Sequence, residues 1–261
     1  MTMLLVLAAL LLINGVSAGN THYGANSYLP LDMAPNSVDD MYWQCKPQMS
    51  CVAAQYLQRE RNQNIKFRRV WDRSMALYNG KWNHQKPNLV REQVVAIYTY
   101  TSDEGKLYRD FNNAVRSQGL QYKTWFGFHA LHFYLTSAIQ ALSRKCVHSY
   151  RRANLYFRQD VVNKNIRFGT FASSSRGSYS QAGVFGDKSC FEIYTCMGAE
   201  ISMYSKYQNE REVLIPPYEV FRVIRVRRRS YYHPNLPCQV VYTLRSTKKA
   251  FSRLNCALLK K

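Results

Sequence analysis

Glu210-Arg211-Glu212-Val213-Leu214-Ile215-Pro216-Pro217-Tyr218-Glu219-Val220-Phe221 is the stretch on which the reading of this chain turns. Its apolar run, Val213 to Ile215, is closed by two prolines and predicts a short, stiff strand. In extended backbone, side chains at i and i+2 share a face, so Glu210 and Glu212 are expected to reach one site from one strand. Two carboxyls so placed can divide the labour. One stays ionised and stabilises a developing cation, while the other handles a proton or an acceptor group. The plainer alternative is a pair of solvated acids at the head of a strand, because surface charge is common.

The flanking organisation gives the fold class. Upstream, residues 50–61, 66–77, 88–97, 104–118 and 127–143 carry apolar residues at threes and fours between Gly, Pro and Asn breakers, and predict helices. From Val147 the pattern shifts to short β-rich runs at 147–150, 166–172, 189–197, 212–215, 220–227 and 239–244. Helices first and strands afterwards indicate α+β rather than a doubly wound sheet. No repeat or low-complexity linker divides the chain.

Residues 1–18, with the apolar stretch Leu4 to Ile13 and the small-residue end Val16-Ser17-Ala18, read as a signal peptide. That leaves 19–261 as a single domain. The apolar core is too short to span a bilayer, which takes about 20 residues. The closing residues Asn255 to Lys261 carry no hydrophobic tail of the kind a glycolipid anchor needs, so export without an anchor is expected. A secretory granule or the ER lumen is the alternative location. All seven cysteines (45, 51, 146, 190, 196, 238 and 256) follow the leader, and export makes disulfides the default. The odd count leaves at least one free or intermolecular thiol. No Cys/His set supports a metal. His129 and His132, three apart, are expected on a half-buried helix without an ion.

Net charge is +20, which favours acidic partners. The densest patch is Arg222, Arg225, Arg227, Arg228 and Arg229, followed by Tyr231 and Tyr232. It reads equally as a binding site for nucleic acid or sulfated glycan and as a solvated strand face.

Taken in order, Tyr150-Arg151, Ile166-Arg167-Phe168-Gly169, Phe171-Ala172-Ser173-Ser174-Ser175, Cys196-Met197-Gly198-Ala199 and the Glu-x-Glu stretch resemble the vertebrate ecto-ADP-ribosyltransferases, specifically the arginine-directed mono-ADP-ribosyltransferases. The resemblance runs from about Asp39 to the C-terminus, through Ile97-Tyr98-Thr99-Tyr100-Thr101 and residues 107–116. It implies the ADP-ribosyltransferase fold, with a mainly helical N-terminal half packed on two β-sheets that form an NAD cleft. It also implies transfer of ADP-ribose from NAD, or NADP, to an arginine guanidinium of a protein or small guanidino compound, with nothing bound permanently. Arg151, Ser173, Glu212 and Glu210 are the catalytic set so implied. Arg151, Arg152, Ser173 and Tyr98 would bind the dinucleotide, with Arg151 on the pyrophosphate. Glu210 and Tyr207 would meet the acceptor. Cys45–Cys256 and Cys146–Cys196 are the implied disulfides. Two departures stand out: Arg152 follows Arg151 where the family usually has Gly, and Arg211 separates the acids where the family often has another acid. Arg211 is expected either to repel basic acceptors or to lower the carboxyl pKa values. Read alone, the serine run at 173–175 is a turn former. Competing functions are an NAD glycohydrolase, with water as acceptor, and a cationic defence or glycan-binding protein whose catalytic site is vestigial.

Overall fold

A computed structural model describes residues 28–82, 88–179 and 186–259; the expected leader peptide lies outside them. Five helices come first: α1 Lys46–Gln63, α2 Ile65–Lys81, α3 Arg91–Thr101, α4 Leu107–Ser117 and α5 His129–Leu142. Local chemistry sets their ends. Asn64 closes α1 in an extended conformation, and its side chain then accepts from the Phe67 N–H at 2.9 Å to cap α2. α5 is buried from His129 through Ile139 and forms the spine of an aromatic core with Trp71, Phe67, Phe111 and Phe128. Its first turn lacks intrahelical acceptors. Glu60 of α1 supplies them, accepting from the N–H groups of His129 (2.5 Å) and Ala130 (3.2 Å).

The helix that carries His129 and His132 is buried along most of its length rather than half-buried, and both rings are buried with it. His129 meets the Tyr122 carbonyl at 2.6 Å and Glu60 at 3.3 Å, and His132 meets the Tyr42 hydroxyl at 2.8 Å and the Val38 carbonyl at 3.2 Å. Both rings are spent on structure. Among the described residues no cluster could hold a metal ion.

The strands are β1 Val147–Ala153, β2 Asn165–Ile166, β3 Ala172–Ser175, β4 Ser189–Thr195, β5 Ala199–Glu200, β6 Glu212–Ile215, β7 Glu219–Arg228 and β8 Val240–Ala250. The α+β expectation holds, in the order of elements expected. Two local expectations fail. Residues 166–172 are not one strand: only Ile166 is in β2, and the chain then turns at Gly169, whose φ is +66°. A Cβ there would lie 2.3 Å from that of Ala34, so glycine is required. The serine run is not a turn but strand β3, buried between β1 and β6. The Ser174 and Ser175 hydroxyls are paid off locally, donating to the Val213 and Glu210 carbonyls at 3.0 and 3.2 Å.

The strands run in one continuous ladder, β2-β7-β8-β4-β1-β3-β6-β5, antiparallel except where β4 meets β8. The two sheets of the expected cleft are therefore two halves of one sheet, joined between β1 and β3 at a single pair, Tyr150 opposite Ser175. One residue further along β1, Arg151 Nη1 donates to the Ser173 carbonyl at 2.6 Å. A side chain takes the place of the ladder, and the halves part around it.

Three disulfides close the fold: Cys45–Cys256, Cys146–Cys196 and Cys190–Cys238, the last pairing two of the three cysteines left unassigned by sequence. Cys51 is an exposed thiol. The N-terminal segment is fixed by a buried ion pair, Arg167–Asp39 at 2.7 Å, with both side chains at most 1 % exposed. Arg167 also donates to the carbonyls of Met33, Ala34 and Phe251, and Asp39 accepts from the N–H groups of Arg253 and Leu254. Arg167→Met should strand the Asp39 charge in the interior and cost about 3–5 kcal/mol, as read from the urea midpoint.

Candidate active site

The seam between the sheet halves gathers the acids and their neighbours. Glu212 opens β6 opposite Ser175, so it lies diagonally across from Ser173 on β3. It is 1 % exposed. Ser205 donates to its Oε2 at 3.3 Å, while Oε1 is buried and has no hydrogen-bond partner among the described residues. Burial pushes the Glu212 carboxyl up to about 7, against the opposing pull of the Ser173 and Ser205 hydroxyls and the Arg151 charge.

Glu210 does not share a strand with Glu212. It ends a 3-10 turn, Gln208–Glu210, and Arg211 follows in the left-handed region at φ 47°. The i, i+2 argument therefore fails in its geometry. The turn nevertheless leaves Glu210 half-buried and within electrostatic reach of Glu212: burial and then the charge of Glu212 raise its carboxyl to about 7. Its Oε2 is likewise buried and unpartnered among the described residues. Arg211 is exposed and is not among the groups that shift either acid, so the expected lowering does not occur.

The Ser173 hydroxyl lies 3.5 Å from that of Tyr100, which donates to the Phe171 carbonyl at 3.0 Å and accepts from Asn112 at 3.0 Å. Asn112 in turn accepts from Thr170. Ser173 is thus one link in a chain that starts on α4 and ends at Glu212. Tyr98 is not part of it. Two residues along a helix rotate a side chain by about 200°, so Tyr98 points elsewhere and packs edge-on against Trp82 at 5.9 Å. Tyr207 is half-buried beside Lys206, and its N–H donates to Ser205 Oγ at 3.1 Å, which ties its loop to the Glu212 hydrogen bond. Lys206 is anchored by Asp103. Arg152 turns its side chain to the other face, over the Tyr179 ring, and donates to the Gly186 carbonyl at 3.4 Å.

Arg151 is half-buried, and burial lowers its pKa while Tyr100 and Glu212 oppose the fall. Beside it a cavity of about 250 Å³ opens between residues 30–36 and a floor of Phe157, Phe168 and Phe191. Arg116 also lines this cavity, with its pKa brought down to about 10 by burial and then by repulsion from Arg151. Arg167 lines it too, but its guanidinium is committed to Asp39 and three carbonyls. Two half-buried guanidiniums that repel each other in one cavity make a site suited to a polyanion such as a pyrophosphate. Sequence reasoning missed Arg116, Tyr100, Asn112 and Ser205. The available signal was on α4, where Asn112 and Arg116 stand at i, i+4 beside the apolar residues Phe111 and Val115.

A buried acid with a half-buried one beside it, a guanidinium bonded into the seam and a cationic cavity next to them could together hold a dinucleotide. The sequence profile described as NAD:arginine ADP-ribosyltransferase matches residues 31–236. The chain belongs to that family. It is 34 % identical over 269 residues to ecto-ADP-ribosyltransferase 5 of Homo sapiens, covering 98 % of this chain and 90 % of that one. It is also 36 % identical over 220 residues to the GPI-linked NAD(P)(+)--arginine ADP-ribosyltransferase 1 of Mus musculus, covering 76 % and 66 % respectively. Among solved structures, a mutant of the eukaryotic mono-ADP-ribosyltransferase ART2.2 in complex with NADH matches with a TM-score of 0.70 at 30 % identity, covering 87 % of this chain and 99 % of that one. This ADP-ribosyltransferase is accordingly an enzyme of the family, with the family's fold and with NAD as co-substrate. Among the described residues no helix is long and apolar enough to cross a membrane.

Proposed function

We propose that this ADP-ribosyltransferase is a secreted enzyme that transfers one ADP-ribose from NAD to the guanidinium of an arginine, releasing nicotinamide. The observation that carries this reading is the pair Glu210/Glu212 at the sheet seam, each with one buried carboxylate oxygen that has no hydrogen-bond partner among the described residues. Breaking the nicotinamide–ribose bond leaves positive charge on the ribose, and a buried carboxylate gains attraction as that charge grows. Glu212 takes this role, held in place by Ser173 and Ser205. Glu210 orients the incoming guanidinium and removes its proton, since arginine is otherwise always charged. Arg151 and Arg116 clamp the pyrophosphate, and Arg152 contributes only main-chain groups. Tyr207 faces the acceptor from the loop before the acids.

Incubating the protein with labelled NAD and agmatine tests the reading. Labelled agmatine formed in step with nicotinamide supports it. Nicotinamide without labelled agmatine makes the chain a glycohydrolase, and neither product makes the site vestigial. Arg116→Ala should raise KM for NAD about tenfold or more and leave kcat within a few-fold, because a phosphate clamp holds ground and transition states alike.

Acidic polymers are a second proposed partner class. The net charge of +20 supports it, as does the stretch 213–261, which has eleven Lys and Arg against one acid, Glu219. That acid is buried.

A further inference from the structure

The basic patch read from sequence is divided by the structure. Arg227 is held by Glu192 at 2.6 Å, and Arg229 by the Leu236 carbonyl and Asp187. Arg222, Arg225 and Arg228 are exposed and meet no acid among the described residues. Arg222 instead stands directly opposite Arg245 in the β7–β8 ladder. Like charges at such a position are 4.5–5.5 Å apart at Cβ and destabilise the pair. The row continues across the sheet. Arg245 is in register with Tyr194 of β4, and Tyr194 with His148 of β1. The Arg245 guanidinium lies over the Tyr194 ring at 5.8 Å, and Tyr194 packs against His148 at 4.7 Å. Lys248 and Lys249, further along β8 at a left-handed break, are also exposed and without an acid partner among the described residues.

The face is settled by strand parity. Arg151, Phe191 and Tyr242 are mutually in register and lie toward the NAD side; His148, Tyr194 and Arg245 are each three residues away and point to the reverse. The cationic row is therefore on the back of the sheet, open while the seam is occupied.

We propose that this row, centred on Arg222 and Arg245, is a docking surface for a sulfated polysaccharide. The inference rests on the polyanion reading above and is independent of the transfer reaction. Paired guanidiniums match the multiple oxygens of a sulfate group and relieve each other's repulsion through it. Three disulfides place folding in an oxidising compartment, outside which most nucleic acid is found. Anionic lipid is concentrated in the cytoplasmic leaflet, away from such a protein. Single-stranded nucleic acid also needs open aromatic faces for stacking, whereas Tyr194 and His148 cover each other.

The test measures binding of the intact chain to a size-defined heparin oligosaccharide at physiological salt. Probes for comparison are its desulfated counterpart, single-stranded DNA of equal charge and phosphatidylserine vesicles. Arg222→Ala/Arg245→Ala should weaken heparin binding tenfold or more, with agmatine modification unchanged as the check that the variant folds. Arg68→Ala/Arg69→Ala removes the same charge from exposed positions on α2 and should change heparin binding less than twofold. Equal losses in both variants, or none in the first, would overturn the row while leaving a diffuse polyanion partner standing. Absence of heparin binding in the unaltered chain overturns both. Preference for the DNA, the vesicles or the desulfated chain overturns the sulfated occupant. Should the double alanine variant misfold, Arg222→Gln/Arg245→Gln carries the same expectation.

Discussion

Glu212→Gln should lower kcat for ADP-ribosyl transfer about a thousandfold or more, abolish NAD hydrolysis with it, and make the folded protein more stable above neutral pH. The first effect follows from removing a preorganised charge that acts on the cationic transition state. The second follows from the sign of the pKa shift. Burial raises the Glu212 carboxyl to about 7 from an ordinary value near 4.5, so the folded state holds its proton more tightly than the unfolded chain does. Its contribution to stability is present in full below about pH 4.5 and is lost as pH rises through about 7. Keeping a charge there at pH 8 costs about 3 kcal/mol, a cost that the amide avoids. Denaturation of both proteins at pH 4 and pH 8 reads this directly: the variant should gain at pH 8 and not at pH 4. In the unaltered enzyme, kcat/KM should rise with pH through an apparent value near 7 rather than 4.5. That ascent belongs to the coupled pair, since Glu210 titrates in the same range and feels the charge of Glu212. A flat profile between pH 5.5 and 8 would remove Glu212 from the role.

Glu210→Gln should separate the two half-reactions. Nicotinamide release is expected to continue, because Glu212, Ser173 and Arg151 remain in place. Transfer to agmatine should fall about a hundredfold or more, because the acceptor guanidinium then keeps its proton. Measuring nicotinamide and labelled agmatine in the same reaction gives the ratio. Parallel loss of both products would mean that Glu210 serves bond cleavage and not the acceptor.

The helices and most strands were legible in the sequence because apolar spacing records which face each element buries. The central acid Glu212 was legible too, through the motif around it. What sequence obscured lies where side chains replaced regular structure. Residues 166–172 look like a strand by composition, yet Arg167 is drawn inward to Asp39, 128 positions away, and Gly169 turns the chain. The serine run looks like a turn, yet its hydroxyls find acceptors within the sheet. Glu210 was assigned to the site as if the extended backbone of β6 reached back to it, whereas the strand begins at Glu212 and Glu210 ends a 3-10 turn before the left-handed Arg211. Arg116 went unread because an arginine in a helix is usually solvated. The basic patch could be seen as a charge run, but which of its members are free depends on cross-strand register.

The bond between Cys45 and Cys256, 211 positions apart, lies next to the contacts that Asp39 makes with the N–H groups of Arg253 and Leu254. The segments around Cys45 and Cys256 are thus stitched into one knot, and peeling one of them away from the other is closed off as a first step of unfolding. Between the strands the slenderest stitch is then the single rung of Tyr150 opposite Ser175, beside which Arg151 and Glu212 sit.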